Sequence, residues 1–347
     1  MKLVSLFSGA GGLDLGFERA GMKVVWANEF DKTIWDTYRK NFPNTELETR
    51  SIANVDASEI PDCDGVIGGP PCQSWSEAGA LRGIRDRRGQ LFFEYVRILE
   101  EKRPKFFLAE NVSGILFSRH SKAITSILER FTQLGYNVSF GLLNANDYGV
   151  PQDRERVIIV GYQSAYAKFF EPPQQDAERL TLRDAIWDLR RTAVPAEDST
   201  PKYRRSRVAN HEYMTGGFSS IYMSRNRVRS WAEPSFTIQA GARHAPLHPQ
   251  APPMPLISKD VRIFAPGAEH LYRRLSVREC ARIQTFPDSH EFVYGNVVNG
   301  YKMVGNAVPV EFARRIAERI SVDLTRARRI KSARKGTVRR FEVVQDD

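Results

Sequence analysis

Leu3-Val4-Ser5-Leu6-Phe7-Ser8-Gly9-Ala10-Gly11-Gly12 carries the chain from an apolar run straight into a glycine-rich turn. The run is too short for the apolar region and cleavage site of a signal peptide, and we read Leu3–Phe7 as a first strand. Leu13, Phe17 and Ala20 then recur at helical spacing, and Gly21 ends that helix. Lys23–Ala27 reads as a second strand, closed by Asn28-Glu29. Moving outward, Gly65–Gly68 is a short buried strand before Pro70-Pro71, Leu91–Leu99 a helix, and Phe106–Ala109 a strand ending at Glu110-Asn111. Ala123–Leu134 reads as a helix, Val138–Leu143 and Val157–Val160 as strands. This alternation predicts an α/β fold, a doubly wound and mostly parallel sheet. After Gly161 the pattern breaks. Pro172-Pro173, Pro195, Pro201, Pro234, Pro246, Pro249 and Pro252-Pro253 punctuate a stretch with few long periodic segments, until a helix resumes at Val310–Ile320. The expected organisation is a large domain over 1–164, a second, smaller and irregular domain over 165–295, a return helix over 296–322, and a basic tail over 323–347 read as solvated or disordered.

The 347 residues carry a formal net charge of +10, which favours a polyanionic partner. Between Pro201 and Ala245, eight Lys and Arg (Lys202, Arg204, Arg205, Arg207, Arg225, Arg227, Arg229, Arg243) face only Glu212 and Glu233. They interleave with Tyr203, Tyr213, Phe218, Tyr222, Trp231 and Phe236, a pattern that suits a nucleic-acid face better than a plain solvated surface. Three cysteines without a CxxC spacing build neither a disulfide framework nor a zinc site, so no metal is expected and a reducing cytoplasm fits. No apolar run is long enough for a membrane span.

Four stretches carry candidate chemistry. The glycine turn lets backbone approach a ligand closely, and Glu29, about 20 residues on, stands where an acid can grip ribose hydroxyls. Asp14 occupies the third position of the dinucleotide fingerprint, which disfavours a nicotinamide oxidoreductase. A cationic, ribose-bearing cofactor such as S-adenosylmethionine suits the acids better; a plain tight turn is the competing reading. Gly68-Gly69-Pro70-Pro71-Cys72-Gln73-Ser74 is a stiff loop at a strand's carboxyl end. A thiol there is a strong nucleophile once nearby positive charge favours the thiolate, against the common alternative of an inert cysteine. Glu110-Asn111-Val112 puts an acid directly after a buried strand, where desolvation would raise its pKa, or forms a helix N-cap pair. Gln152-Asp153-Arg154-Glu155-Arg156 precedes another strand, as anion-binding arginines or as an edge-strand charge ladder.

Together and in this order, the set resembles the DNA (cytosine-5) methyltransferase family along nearly all of residues 1–320. Arg278-Glu279-Cys280-Ala281-Arg282 and Gly305-Asn306-Ala307-Val308-Pro309 complete it. The chain is most similar to HaeIII-type enzymes. That likeness rests on Ser74-Trp75-Ser76-Glu77, Leu143–Gly149, Met223–Arg229, Leu247–Pro252 and Glu269–Leu275.

The resemblance implies an adenosylmethionine-dependent methyltransferase fold with a target-recognition domain. It implies methyl transfer to C5 of a cytosine in double-stranded DNA, leaving S-adenosylhomocysteine, with the inner cytosine of GGCC as the target. Cys72 would attack the base, Glu110 would hold or protonate N3, and Arg156 with Arg154 would bind the O2 carbonyl or a phosphate. Because the base is unreachable inside a duplex, it must flip out. Phe7, Ser8, Gly9, Gly11, Gly12, Glu29, Phe30, Ser51, Ile52, Pro70, Leu91, Asn306 and Ala307 would line the cofactor site. Ser51 departs from the family, which carries there an acid that holds the adenine amino group. Gln73, Ser74 and Thr237 would approach the DNA, and Arg225, Arg227, Arg229 and Arg243 are candidates to read guanines. A monomer acting in a restriction–modification system is implied, with a cognate endonuclease as genetic partner. A tRNA cytosine-5 methyltransferase and an inactive DNA-binding relative are the alternatives.

Overall fold

The computed structural model describes residues 1–71, 87–166, 168–196, 208–327 and 336–341. Strand β1 (Lys2–Leu6) and helix α1 (Gly12–Arg19) flank the glycine turn, followed by β2 (Lys23–Asn28), α2 (Trp35–Asn41), β3 (Glu46–Glu48) and β4 (Gly65–Gly68). Then come α3 (Arg87–Lys102), β5 (Phe106–Val112), α4 (Ser121–Gln133), β6 (Tyr136–Asn144) and β7 (Glu155–Gln163). Successive side chains of a strand point to opposite faces, and here both faces are buried. Val4, Phe107 and Ile159 pack with Phe92 and Tyr95 of α3 and Ile127 and Phe131 of α4. Their neighbours Leu3, Phe106 and Ile158 pack on the other side with Leu13 and Phe17 of α1. Strands covered on both faces read as continuous apolar runs, which is why they were legible.

Beyond β7 the elements shorten: α5 (Leu182–Ile186), β8 (Val194–Pro195), β9 (Glu212–Tyr213), α6 (Ser220–Met223), β10 (Leu256–Ser258), β11 (Val261–Arg262) and α7 (Val277–Ile283). With so few ladders, loop carbonyls find side-chain donors instead. Buried Arg278 donates to the carbonyls of Ala209, Pro287 and His290, and Arg274 to those of Gly216 and Gly217. Arg278-Glu279-Cys280-Ala281-Arg282 is thus a structural helix. Ser276 caps it, and Arg273 holds Glu279 through two bonds of 2.7 Å.

Helices α8 (Val297–Asn306) and α9 (Val310–Arg326) lead back to the sheet. Gly305-Asn306 form the last turn of α8, and Ala307–Pro309 make the link to α9. Phe312, Ile316 and Ile320 of α9 join the cluster of Leu13 and Phe17. The two helices touch at Gly16, where a β-carbon would fall 2.6 Å from the Val310 carbonyl oxygen. Part of the tail is also placed. Strand β12 (Val338–Arg340) pairs parallel with β6, and Phe341 is buried beside Phe170. The reading of the tail as solvated or disordered is corrected for 336–341, because β6 would otherwise present an open sheet edge. The sheet order is β12-β6-β7-β5-β4-β1-β2-β3, and β7 alone runs antiparallel to its neighbours.

Candidate active site

The strand order reverses beside β1, with β2 on one side and β4 on the other, all three parallel. Open α/β sheets form their ligand crevice at such a point, outside the strands' carboxyl ends. A cavity of about 680 Å³ lies there, within the usual range for ligand pockets. Every residue assigned to the cofactor from sequence lines it except Gly11. Gly11 instead caps α1, at φ 80°, and lies against the ring of Phe42. Asn28, Asp31, Ile34, Asn111, Ile115 and His120 also line the cavity and were missed. They come from two separate stretches, 28–34 and 111–120, and none carries a distinctive local pattern.

The glycine turn shapes one wall. Phe7 and Gly9 both take positive φ, 56° and 55°. A bulky residue there is strained, and the turn is held by bonds from Ser8 N–H to Asn28 O and from Gly11 N–H to Ser8 O. Space is open where a β-carbon of Gly9 would stand. Glu29 faces this wall. Its carboxylate accepts Gly9 N–H at 2.9 Å on one oxygen and Asp31 N–H at 2.7 Å on the other. Burial raises the Glu29 carboxyl above its ordinary value, against the pull of those amides. Each oxygen keeps a further lone pair for a ligand hydroxyl. Phe30, 69% exposed, offers a ring face to the same cavity, and Ser51 and Ile52 stand across from it on the β3–β4 connection. Asp31 is bridged to Lys302 of α8, which ties the rim to the return segment.

Glu110 sits at the cavity's other end, inside β5 and not at a helix N-cap. It is not a lone desolvated acid: Arg156 Nε meets its Oε1 at 2.8 Å, and both side chains are largely buried. Arg156 belongs to an internal strand, paired with Val112 on one side and Leu143 on the other, so the edge-strand ladder is excluded. The Pro70-Pro71 loop hangs beside this pair. Asn111 Nδ2 donates to Pro70 O at 3.0 Å, and a β-carbon on Gly69 would come within 3.2 Å of Glu110 Oε2. The loop is followed as far as Pro71, on the cavity wall; Cys72, Gln73 and Ser74 lie outside the described residues.

Arg154 requires correction as a substrate-binding residue. It is 1% exposed and does not line the cavity. Its guanidinium donates to the carbonyls of Ile238, Gly305 and Ala307, each at 3.0 Å. Burial lowers its pKa to about 9, which leaves it protonated at neutral pH. Gln152 and Gln284 extend the network, Gln152 accepting from Ile238 N–H and Gln284 donating to Val304 O. Sequence alternation puts Arg154 and Arg156 on one face, but Arg154 precedes the strand, so the face rule does not reach it.

The candidate DNA-reading residues separate likewise. Arg225 and Arg243 are exposed and form no ion pair among the described residues. Arg227 spends donors on the carbonyls of Tyr222 and Ile221. Arg229 is bridged to Asp153 and Glu233, both at 2.9 Å, and stacks over Phe236. As a free guanine reader Arg229 is therefore corrected: two carboxylates already neutralise it. Thr237 donates its hydroxyl to Asp153 O, which fastens this segment to the entry of β7.

Known proteins share this architecture and sequence. Residues 1–322 match the C-5 cytosine-specific DNA methylase family. The chain is 56% identical to the type II methyltransferase M.FnuDI of Fusobacterium nucleatum over 95% of its own length and 97% of the relative's. It is 53% identical to M.NgoPII of Neisseria gonorrhoeae, over 94% and 97%. Among solved structures, it is similar to an Escherichia coli prophage chain described as a DNA modification methyltransferase (TM-score 0.72, 24% identity, 94% and 99% covered). It is also similar to Entamoeba histolytica methyltransferase EhMeth (TM-score 0.69, 17% identity, 93% and 98% covered), a likeness of fold. By its match over nearly the whole chain, this protein belongs to the C-5 cytosine-specific DNA methylase family.

Proposed function

We propose that the chain methylates the inner cytosine of GGCC in double-stranded DNA through a covalent adduct to Cys72, as the modification half of a type II restriction–modification system. The observation that carries the reading is the Glu110–Arg156 pair at one end of the cavity, beside the loop that leads to Cys72. The other end fits S-adenosylmethionine by its donor set: Glu29 for ribose hydroxyls, Phe30 for a ring face, and open backbone at Gly9. When bound, that cofactor supplies an electrophilic methyl group on a sulfonium.

Cytosine C5 is a poor nucleophile. Addition of the Cys72 thiolate to C6 moves electron density to C5, which then takes the methyl group. Glu110 hydrogen-bonds or protonates N3 as negative charge develops on the ring, and Arg156 keeps Glu110 in place through Nε. Arg156 Nη1 donates to Glu155 O, and its Nη2 would reach the O2 carbonyl. Loss of the C5 proton to a base restores the ring's unsaturation as the Cys72 sulfur leaves. The base must stand outside the helix for this, at a cost of a few kcal/mol. Exposed Arg225 and Arg243 are the best placed to read guanine O6 and N7. The resemblance in the recognition segments and the type II methyltransferase relatives support the target and the setting.

Methyl transfer to plasmid DNA followed by bisulfite sequencing tests all of it. The expected result is modification at the inner cytosine of GGCC and nowhere else. Labelling of tRNA alone, or another DNA site, overturns the substrate or target. Cys72→Ser should abolish turnover while cofactor binding persists, and 5-fluorocytosine DNA should be trapped only when Cys72 is present.

A further inference from the structure

Behind the cavity wall lies an acid that the reaction does not use. Asp14 is fully buried in the first turn of α1. Ser5 Oγ donates to its Oδ1 and Tyr38 Oη to its Oδ2, both at 2.6 Å. Ser5 lines the cavity itself, as do Gly12 and Leu13, the two residues before Asp14. Asp14 is thus one side chain removed from the cavity, with protein on every side. The charged groups acting most strongly on it are acids, Glu18 on its own helix and Glu29 on the cavity. Its other polar neighbours are Ser5 from β1 and Tyr38 from α2.

We infer that Asp14 is a positioning residue for charge. It couples entry of a sulfonium cation into the cavity to release of a proton, and so favours the charged cofactor over its neutral thioether product. The inference rests on the cavity being the adenosylmethionine site. Burial and the two neighbouring acids disfavour the carboxylate, while the Ser5 and Tyr38 hydroxyls favour it. Burial prevails and raises the carboxyl to about 7, so the site holds protonated and ionised forms near neutrality. A cation in the cavity is attracted by the ionised form alone, so the proton leaves; the thioether carries no such charge. If binding lowers the pKa by about one unit, roughly 0.4 proton is released at pH 7. The preference for cofactor over product then grows about fivefold between pH 6 and pH 8.

Isothermal titration of S-adenosylmethionine and S-adenosylhomocysteine, in buffers of different ionisation enthalpy at pH 6, 7 and 8, reads both quantities. The wild-type chain should release the extra proton with the sulfonium ligand only. Asp14→Asn keeps the shape, since either hydroxyl can turn to accept from the amide. It should remove the extra proton and flatten the pH dependence of the affinity ratio. Tyr38→Phe deletes a bond that favours the carboxylate, and should move the midpoint of that dependence to higher pH. A wild-type chain that binds neither ligand overturns the cavity assignment. If it binds both and Asp14→Asn leaves proton release and ratio unchanged, the inference about Asp14 falls. Should Asp14→Asn not fold, an unmoved midpoint in Tyr38→Phe has the same force.

Discussion

Replacing Arg154 by alanine separates two readings of the motif before β7. On the structure, the change removes three hydrogen bonds from a charged donor to the carbonyls of Ile238, Gly305 and Ala307. Bonds to charged groups contribute about 1.5–3 kcal/mol each, and buried carbonyls left without donors add their own desolvation cost. Against this, a buried cation no longer needs to be desolvated, and water can enter the hole. A net loss of about 3–5 kcal/mol follows, the range for breaking a buried charged network. Spread over 347 residues, at about 2.1 cal/mol/K per residue, this lowers Tm by roughly 4–7 °C. Because the carbonyls tie the 238 segment to the α8–α9 link, DNA affinity and cofactor affinity should fall together. The assays are thermal unfolding, calorimetric cofactor binding and methyl transfer on the same preparation, with Arg156→Ala alongside. Arg156→Ala should lose turnover with a smaller change in Tm. An Arg154→Ala protein with wild-type Tm and cofactor affinity but lost kcat would refute the clamp and restore Arg154 to the substrate.

Three further outcomes are expected. Burial opposes the Glu279 charge, but Arg273 outweighs it and holds the carboxyl at about 2, below its ordinary 4.5. That depressed value contributes about 3 kcal/mol of stability above pH 4.5, lost as pH falls toward 2; urea unfolding should show Glu279→Gln less stable at pH 7, by a margin that shrinks below pH 4.5. Arg229→Ala and Asp153→Ala should be non-additive in a double-mutant cycle, because they remove the same bridge; strict additivity in thermal unfolding would break that link. Phe341→Ala, which empties the site beside Gly141 and Phe170, should cost about 3–5 kcal/mol, and light scattering should then detect association through the uncovered β6 edge.

Much of the large domain was legible because its signals are local. Apolar runs from Leu3, Gly65 and Phe106 mark strands buried on both faces, and each run gives way to residues of another kind: glycines, prolines, or Glu110-Asn111, which still lie within β5. Those ends meet at one edge of a parallel sheet, so a list of strand-terminal residues is nearly a list of the cavity's lining. Leu91, Asn306 and Ala307 came from the family resemblance alone, since nothing near them marks a site. The region beyond β7 was harder. Its fold is held by arginine-to-carbonyl bonds such as those of Arg274 and Arg278, which have no sequence period.

From residue types and order follow the sheet, the glycine turn and the acid at Glu29, and the family resemblance adds Glu110 and Arg156 as members of one constellation. Which charges are free is a different question, and only tertiary structure answers it. Arg154 and Arg156 are two residues apart and chemically identical, yet one is locked among three carbonyls and the other meets Glu110. Arg225 and Arg229 differ in the same way, one exposed and one held by two acids. A side chain's partners come from distant segments, and sequence spacing carries no information about distance across a fold. The same holds for Asp14. In the sequence it merely spoils a dinucleotide fingerprint; in the fold it is a buried acid behind the cavity wall.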